Sequence, residues 1–374
     1  MRVLVSPDSF GGTLSAQQAA DAIARGWLQT CPNDDVTSLP VCDGGPGFVD
    51  AIVQALGASR VPVIVTDPLG RAVPADFALL DHHAWIESAA ACGLHLIDPS
   101  ERNVGGASSF GLGQLIRAAI ESGATHITIG VGGTATNDAG AGMLAALGAT
   151  GQSSAGDDAL KAGGLGLRTF ETINLDAVHA LLRGITLEVA TDVDNPLLGA
   201  RGATATYGPQ KGADEDTVMR LEVALRHFRD LMGKRDDGKD ASVALGAGSG
   251  GGIGYALLHL GATRVSGISF VMDTVGFTQH LTHYDLVITG EGCLDDQSLH
   301  GKVVIGVATK AAELGKPCIA LAGEVRLGKR ECASAGIDAA YSLKDTFGTE
   351  QAIGDASASL EALAARVART WGRA

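Results

Sequence analysis

Basic residues never gather in this chain. Its 28 lysines and arginines face 42 acidic residues, a net charge of -14, and no Lys/Arg block occurs anywhere. A nucleic-acid or acidic-membrane surface is therefore disfavoured, because neutralising phosphates needs a basic patch. No apolar run approaches the roughly 20 residues of a membrane span. Ahead of Pro7 stand one arginine and a short strand-like run, unlike a secretory leader, so the cytoplasm is the expected location. The six cysteines form no C-x-x-C pair and no metal-ligand spacing, which points to buried, reduced thiols. Two catalytic signatures are missing as well. Gly301-Lys302 lacks the upstream glycine and the Ser/Thr of a Walker A loop, and no G-x-S-x-G elbow occurs. P-loop phosphoryl transfer is excluded and a serine hydrolase is disfavoured.

Aromatics are scarce, at 4%, whereas glycine is abundant, at 52 residues, so tight turns and close backbone approaches are expected. A chain of 374 residues exceeds one ordinary core, which favours two domains. Val3–Val5 reads as a buried strand. Ser15 then opens a helix with Gln18 three residues on, a capping box, and Ala20, Ile23, Ala24, Trp27 and Leu28 follow at helical spacing. A second strand (36–41) and a helix starting near Gly47 repeat the unit, as in a doubly wound parallel sheet. Residues 59–66 and 72–88 break this rhythm as consecutive strands around "DPLGRA". The loops "GDD" (156–158) and "RDDGKD" (235–240) are polar, and strict alternation returns from about 284. Similar ends around a different middle suggest an α/β chain with one domain inserted into another. The expected division is a discontinuous Rossmann-like domain of 1–66 and 264–374, with an inserted α/β domain of 67–263.

Three acidic, glycine-rich turns end strands in the terminal segments. They are Asp8-Ser9 with Gly11 and Gly12, "CDGG" with Asp43, Gly44 and Gly45, and "TGEGCLDDQ" with Glu291, Asp295 and Gln297. Ligands of open α/β sheets bind outside the carboxyl ends of strands, where such turns converge. Asp and Gly are also ordinary turn formers, so the three together carry more weight than any one. In the middle, "GVGGTATNDAGAGM" places Gly132, Gly133, Thr134, Asn137 and Asp138 near a helix start, where N–H groups and the dipole favour an anion. "TDVDNPLLG" ends another strand with Asp192, Asp194 and Asn195. Its two carboxylates can place a divalent cation, or the run is simply an Asx-type turn. "GAGSGGGIG", with Gly250 and Gly251, lacks the β–α–β context of a dinucleotide fingerprint, which leaves a nicotinamide oxidoreductase poorly supported.

Taken in order, "PDSF.G.LSA", "DGG.G", "GG.ATNDAGAGM", "DVDNPL.G..GA...GPQKGA", "GAG..GG.G" and "ITGEG.LD.Q...GK...GVA" resemble the bacterial glycerate kinase family of the two-domain type, from Val3 to about Leu343. The resemblance implies ATP-dependent, Mg²⁺-assisted phosphorylation of D-glycerate in a cleft between the two domains, with the 2-phosphate as the favoured product. It implies a site of Asp8, Ser9, Asp43, Thr134, Asn137, Asp138, Asp192, Asp194, Asn195, Gln210, Lys211, Glu291, Asp295, Gln297 and Lys302. Within that set Asp192 or Asp194 serves as base or metal carboxylate, and Lys211 and Lys302 as cations on the transferring phosphate. The chain departs from the family pattern where Gly11 replaces a common Lys, Pro46 a Glu and Cys293 an Arg. Val104 and Val304 stand where Pro is usual. Those lost charges keep two alternatives open: a family member that binds a small acid or nucleotide without turnover, and a kinase for another small hydroxy acid.

Overall fold

Val3, Leu4 and Val5 are fully buried in the first strand, β1 (Arg2–Val5), as a continuous apolar run requires when both faces of a parallel strand are covered. In this computed structural model, which describes residues 1–154, 160–296, 298–300 and 302–372, β1 lies inside a five-stranded sheet. Its neighbours are β2 (Asp35–Ser38) on one side and β11 (Leu286–Thr289) on the other. Beyond β11 come β13 (Cys318–Ala322) and β15 (Ala339–Ser342), and every pairing is parallel. The chain thus winds outward from β1 to β2, then returns to the other side of β1 and winds outward through β11, β13 and β15. The strand order reverses between β1 and β11. Helix Ala16–Thr30 opens with the expected box: Ser15 Oγ accepts from Gln18 N–H at 3.2 Å, and Gln18 Oε1 accepts from Ser15 N–H at 2.9 Å. It buries Ala20, Ile23 and Trp27 in a core shared with Leu360, Leu363 and Val367 of the closing helix, Ala356–Trp371. A short parallel ribbon pairs β12 (Cys293–Leu294) with β14 (Glu324–Val325).

The second unit is built on a six-stranded sheet. Its centre is parallel: β5 (His83–Glu87), β6 (His126–Gly130), β9 (Thr186–Ala190) and β10 (Thr263–Val265) lie side by side in that order. On the far side of β5, β4 (Ala72–Leu80) and β3 (Ser59–Thr66) continue the sheet antiparallel. The stretch 72–88 is therefore two strands, broken at Asp81, which turns with φ of 53°. A separate antiparallel pair joins β7 (Thr150–Ser153) to β8 (Phe170–Asn174). Ile127, Ile129, Leu112, Leu115, Phe77 and Tyr255 are buried together in this unit's core.

The chain divides into Met1–Asp43 with Ile268–Ala374, and Gly44–Gly267. The first joint thus lies at Asp43–Gly44 instead of near 66, because strand 59–66 pairs along its whole length with 72–80. All six cysteines are free thiols; Cys293 is half-buried and the other five are buried. Among the described residues, no helix is long and apolar enough to cross a membrane.

Candidate active site

Asp8, Glu291 and Asp43 come just after β1, β11 and β2, three adjacent parallel strands. Asp8 and Glu291 flank the reversal of strand order, where an open α/β sheet leaves a crevice at its carboxyl edge. Asp8 donates its N–H to Gly290 O at 2.8 Å, and its Oδ1 accepts the N–H of Ser9 at 2.6 Å. Burial, then the charge of Asp43, push the Asp8 carboxyl up to about 8; the Ser9 N–H and Lys302 oppose this and Glu291 adds to it. Glu291 is 4% exposed, and its Oε1 is buried with no hydrogen-bond partner. Lys302 Nζ lies 3.5 Å from Glu291 Oε2, at the start of helix Val303–Glu313. Burial raises the Glu291 carboxyl, and Lys302 and Ser298 draw it back. Asp295 accepts from Cys293 Sγ at 3.7 Å and donates its own N–H to Ser298 Oγ at 3.1 Å. Gly11 and Gly12 are exposed, and a side chain at either would meet open space. Gln297 lies outside the described residues.

A crowd of carboxylates with one lysine beside them is short of positive charge. Its donors are all oxygen, the set that suits Mg²⁺ and not a thiophilic metal. The buried, unpartnered Glu291 Oε1 and the raised Asp8 both fit a cation that brings the missing charge.

In the second unit, the loop after β6 is tied down chiefly by its own residues. Asp138 is fully buried, and its Oδ2 accepts the N–H and the Oγ–H of Ser109, both at 2.8 Å, and the N–H of Gly142 at 3.2 Å. Its Oδ1 accepts the N–H of Gly140 at 3.1 Å. The carboxylate therefore pins the starts of two helices, Phe110–Glu121 and Ala141–Leu147. Asp138 itself therefore occupies the N–H groups of Gly140 and Gly142 at the start of the second of these helices. Burial raises the Asp138 carboxyl and the Ser109 bonds lower it. Lys211 is 4% exposed and donates from Nζ to Thr136 O at 2.8 Å and to Thr134 Oγ1 at 3.3 Å. Burial holds its pKa down to about 8, against the pull of Asp138 and Cys92. Asn137 is buried and donates to Thr204 Oγ1 at 2.8 Å. Gln210 is exposed, and its carbonyl accepts from Arg102.

The Gly44–Gly45 turn crosses the carboxyl ends of β6 and β9. A Cβ on Gly44 would lie 2.6 Å from Ala190 O, at a φ of 93°, so glycine is required there. Gly132 packs on Gly45, and Gly133 packs on Pro46. Gly250 and Gly251 belong to a turn laid against residues 136–139: Gly250 O accepts from Thr136 Oγ1 at 3.3 Å and Gly251 O from Ala139 N–H at 3.0 Å. After β9, Asp192 Oδ1 accepts the Ser266 Oγ–H at 2.6 Å, and Asp194 pairs with Arg264 at 2.7 Å. Asn195 braces the same turn, donating to Arg201 O at 2.7 Å and accepting from Tyr207 OH at 2.9 Å.

Comparison with known proteins decides the lineage. A profile described as "Glycerate kinase family" matches residues 3–372. The chain belongs to the glycerate kinase family. It is 42% identical to glycerate kinase of Bacillus subtilis over 92% of this chain and 90% of that one. Glycerate 2-kinase of Escherichia coli is 41% identical over 93% and 92%. The crystal structure of a glycerate kinase 2 candidate from Salmonella typhimurium LT2 superposes with a TM-score of 0.75 at 41% identity, covering 99% of this chain and 98% of that one. The mixed α/β architecture with parallel sheets is thus that of a glycerate kinase structure.

Within this family frame, the structure adds residues that no motif announced. Glu87 ends β5 and accepts the N–H groups of Gly47 at 2.8 Å and Phe48 at 3.0 Å, fixing the helix that follows the Gly44–Gly45 turn. Burial pushes its carboxyl up to about 7. Ser109, Ser266 and Arg264 are likewise known only through the carboxylates they hold. An acidic residue at a strand's end was the signal available for Glu87. The other three carried none.

Proposed function

We propose that this chain is a kinase that transfers the γ-phosphoryl group of ATP to a hydroxyl of D-glycerate, with the 2-hydroxyl as acceptor. One observation carries the reading: three carboxylates and Lys302 gather at the carboxyl edge of a parallel sheet where strand order reverses, in a chain of this family. The name of the Escherichia coli relative, glycerate 2-kinase, favours the 2-phosphate.

Phosphoryl transfer asks for positioning, charge neutralisation and an acceptor for the hydroxyl proton. Asp192 takes that proton; the Ser266 hydroxyl at 2.6 Å orients it. Lys302 supplies positive charge to the phosphates and is held in place by Glu291. Asp8 and Glu291 would hold Mg²⁺ from the protein side, with phosphate oxygens and water completing its shell, in preference to Asp194, whose charge Arg264 already answers. Mg²⁺, when bound, would supply neutralisation of the phosphate charge. Lys211, Asp138, Asn137 and Glu87 shape the loops; they act by holding the backbone of 44–48 and 132–142 in place. A catalyst of this kind works in the cytoplasm, where ATP and small organic acids are at hand.

The missing charges at Gly11, Pro46 and Cys293 favour a second reading, ligand binding without turnover. A coupled assay with D-glycerate, ATP and Mg²⁺ separates the two, with product position read by phosphorus NMR. The kinase reading expects turnover and 2-phosphoglycerate. Folded protein that binds ATP yet makes no phosphoglycerate overturns it, and turnover with another hydroxy acid alone reassigns the substrate.

A further inference from the structure

Among the described residues, one group of at least three His, Cys, Asp or Glu side chains brings its donor atoms together in a way that can hold a metal ion: His83, His126 and Glu188. They stand on β5, β6 and β9, three adjacent parallel strands, and register places them. His83 lies directly beside His126, and Thr128, two residues further along β6, lies beside Glu188. Alternate residues of a strand share a face, so the three side chains project from one side of the sheet. His83 and His126 begin their strands, whereas Glu87 ends β5 and Asp192 follows β9, at the opposite, carboxyl ends. Four residues of strand, roughly 13 Å, separate His83 from Glu87.

The donor atoms lie within 4.8 Å of one another. His126 Nε2 is 3.1 Å from Glu188 Oε2, yet it is buried and has no properly aligned hydrogen bond. His83 Nε2 is 2.8 Å from Thr128 Oγ1, which in turn donates to Glu188 Oε2 at 2.8 Å. The two imidazoles stack with centroids 3.9 Å apart and planes 9° from parallel, and Trp85 covers the other face of His83 at 3.8 Å. An ion lies in the plane of each imidazole that binds it, so the two rings turn out of this parallel stack to share one. Ligands about 2.0–2.1 Å from a tetrahedral ion sit roughly 3.4 Å apart, so side-chain rotations that shift the donor atoms by about an ångström close the set.

We propose that His83, His126 and Glu188 bind a divalent cation of the zinc class through two imidazole nitrogens and one carboxylate oxygen, with water as the fourth ligand. Two imidazoles and a carboxylate suit Zn²⁺, Cu²⁺, Ni²⁺ or Co²⁺ and are a poor match for Mg²⁺, which prefers oxygen alone. The ion replaces an unsatisfied nitrogen and a crowded pair of rings with directed bonds. Binding shifts the His83 ring proton to Nδ1, freeing Nε2 from Thr128. That hydroxyl stays behind as a support for Glu188, the outer-shell part that orients a metal ligand. The site ties three strands at their amino-terminal ends and stabilises this unit without entering the phosphoryl-transfer chemistry.

The test uses the full chain, freed of metal with a chelator and titrated with Co²⁺ and then Zn²⁺. The expected result is one Co²⁺ per chain, with the visible ligand-field bands of a four-coordinate nitrogen and oxygen site and no thiolate charge-transfer band. Zn²⁺ should displace it, excess Mg²⁺ should not, and the unfolding midpoint should rise by at least about 2 °C. His126→Asn and Glu188→Gln should each weaken Zn²⁺ binding at least ~10-fold, with circular dichroism of each variant confirming its fold. Failure of the folded wild type to bind Zn²⁺ tighter than about 10 µM overturns the assignment. So does binding that both variants leave unchanged, or a thiolate band, which would place the ion on cysteine.

Discussion

Asp8 and Glu291 follow neighbouring parallel strands on either side of the reversal in strand order, and burial, Asp43 and Glu291 each raise the cost of ionising Asp8. With its folded pKa near 8 against an ordinary value of 3.8, Asp8 binds more protons in the folded chain than in the unfolded one across that window. Its contribution to stability is therefore full below about pH 4 and is lost as pH rises through 8. Asp8→Asn should flatten the fall in unfolding midpoint between pH 5 and 8.5. Millimolar Mg²⁺ at pH 8 should raise the midpoint of the wild type and not that of the variant. The same variant should lose at least ~10²-fold in kcat, since it removes a cation ligand. A variant with wild-type turnover would remove Asp8 from the site.

Lys211 is a buried cation whose bonds go to the loop it supports. Its folded pKa, about 8, lies below the ordinary 10.5, so the unfolded chain binds more protons between those values and this residue makes stability rise with pH there. Lys211→Met should abolish that rise. At pH 7 it should cost about 1–3 kcal/mol, because Thr136 O loses its donor. Urea unfolding at pH 7 and pH 9.5 measures both effects.

Asp192 and Asp194 are two residues apart but differently engaged, and substitution should separate them. Asp192→Asn should lower kcat at least ~10²-fold with little change in KM for glycerate, as expected for a lost base. Ser266→Ala, which removes one hydrogen bond from that carboxylate, should cost about 10-fold in kcat. Asp194→Asn breaks only a pair whose carboxylate is 62% exposed, so stability should change by less than about 1 kcal/mol. Equal effects from Asp192→Asn and Asp194→Asn would refute the division of roles.

What could be read from the sequence was what the chain settles locally. Ser15 and Gln18 satisfy each other three residues apart, so their pattern suffices, and the acidic turns after β1, β2 and β11 announce themselves by following apolar runs. Strand 59–66 was placed with the wrong unit because its partner is chosen by pairing with 72–80, and an edge strand's half-polar pattern fits either sheet. The sequence places Asp138 at an anion-binding helix start, but its function as a cap depends on Ser109, 29 residues away. Glu87 meets Gly47 across 40 residues, and His83, His126 and Glu188 meet only through strand register. Hydrogen-bond partners fixed by topology leave no trace in spacing.

Position 11 tests whether the departures from the family pattern are adjustments of a working site. Gly11 is exposed, its backbone is outside the left-handed region, and no atom lies within 4 Å of an added Cβ. Gly11→Lys should therefore fold as the wild type does, with stability changed by no more than about 0.5 kcal/mol. The new charge enters the loop that carries Asp8, close to where the phosphates of ATP are proposed to bind. KM for ATP should fall several-fold at low ionic strength, and the gain should shrink as salt screens the added charge. Gly12→Lys is the control: its φ of 80° disfavours any side chain, so it should cost about 1 kcal/mol or more. If Gly11→Lys folds and leaves KM for ATP unchanged at every salt concentration, the loop does not face the nucleotide, and the phosphate charge is met by Lys302 without it.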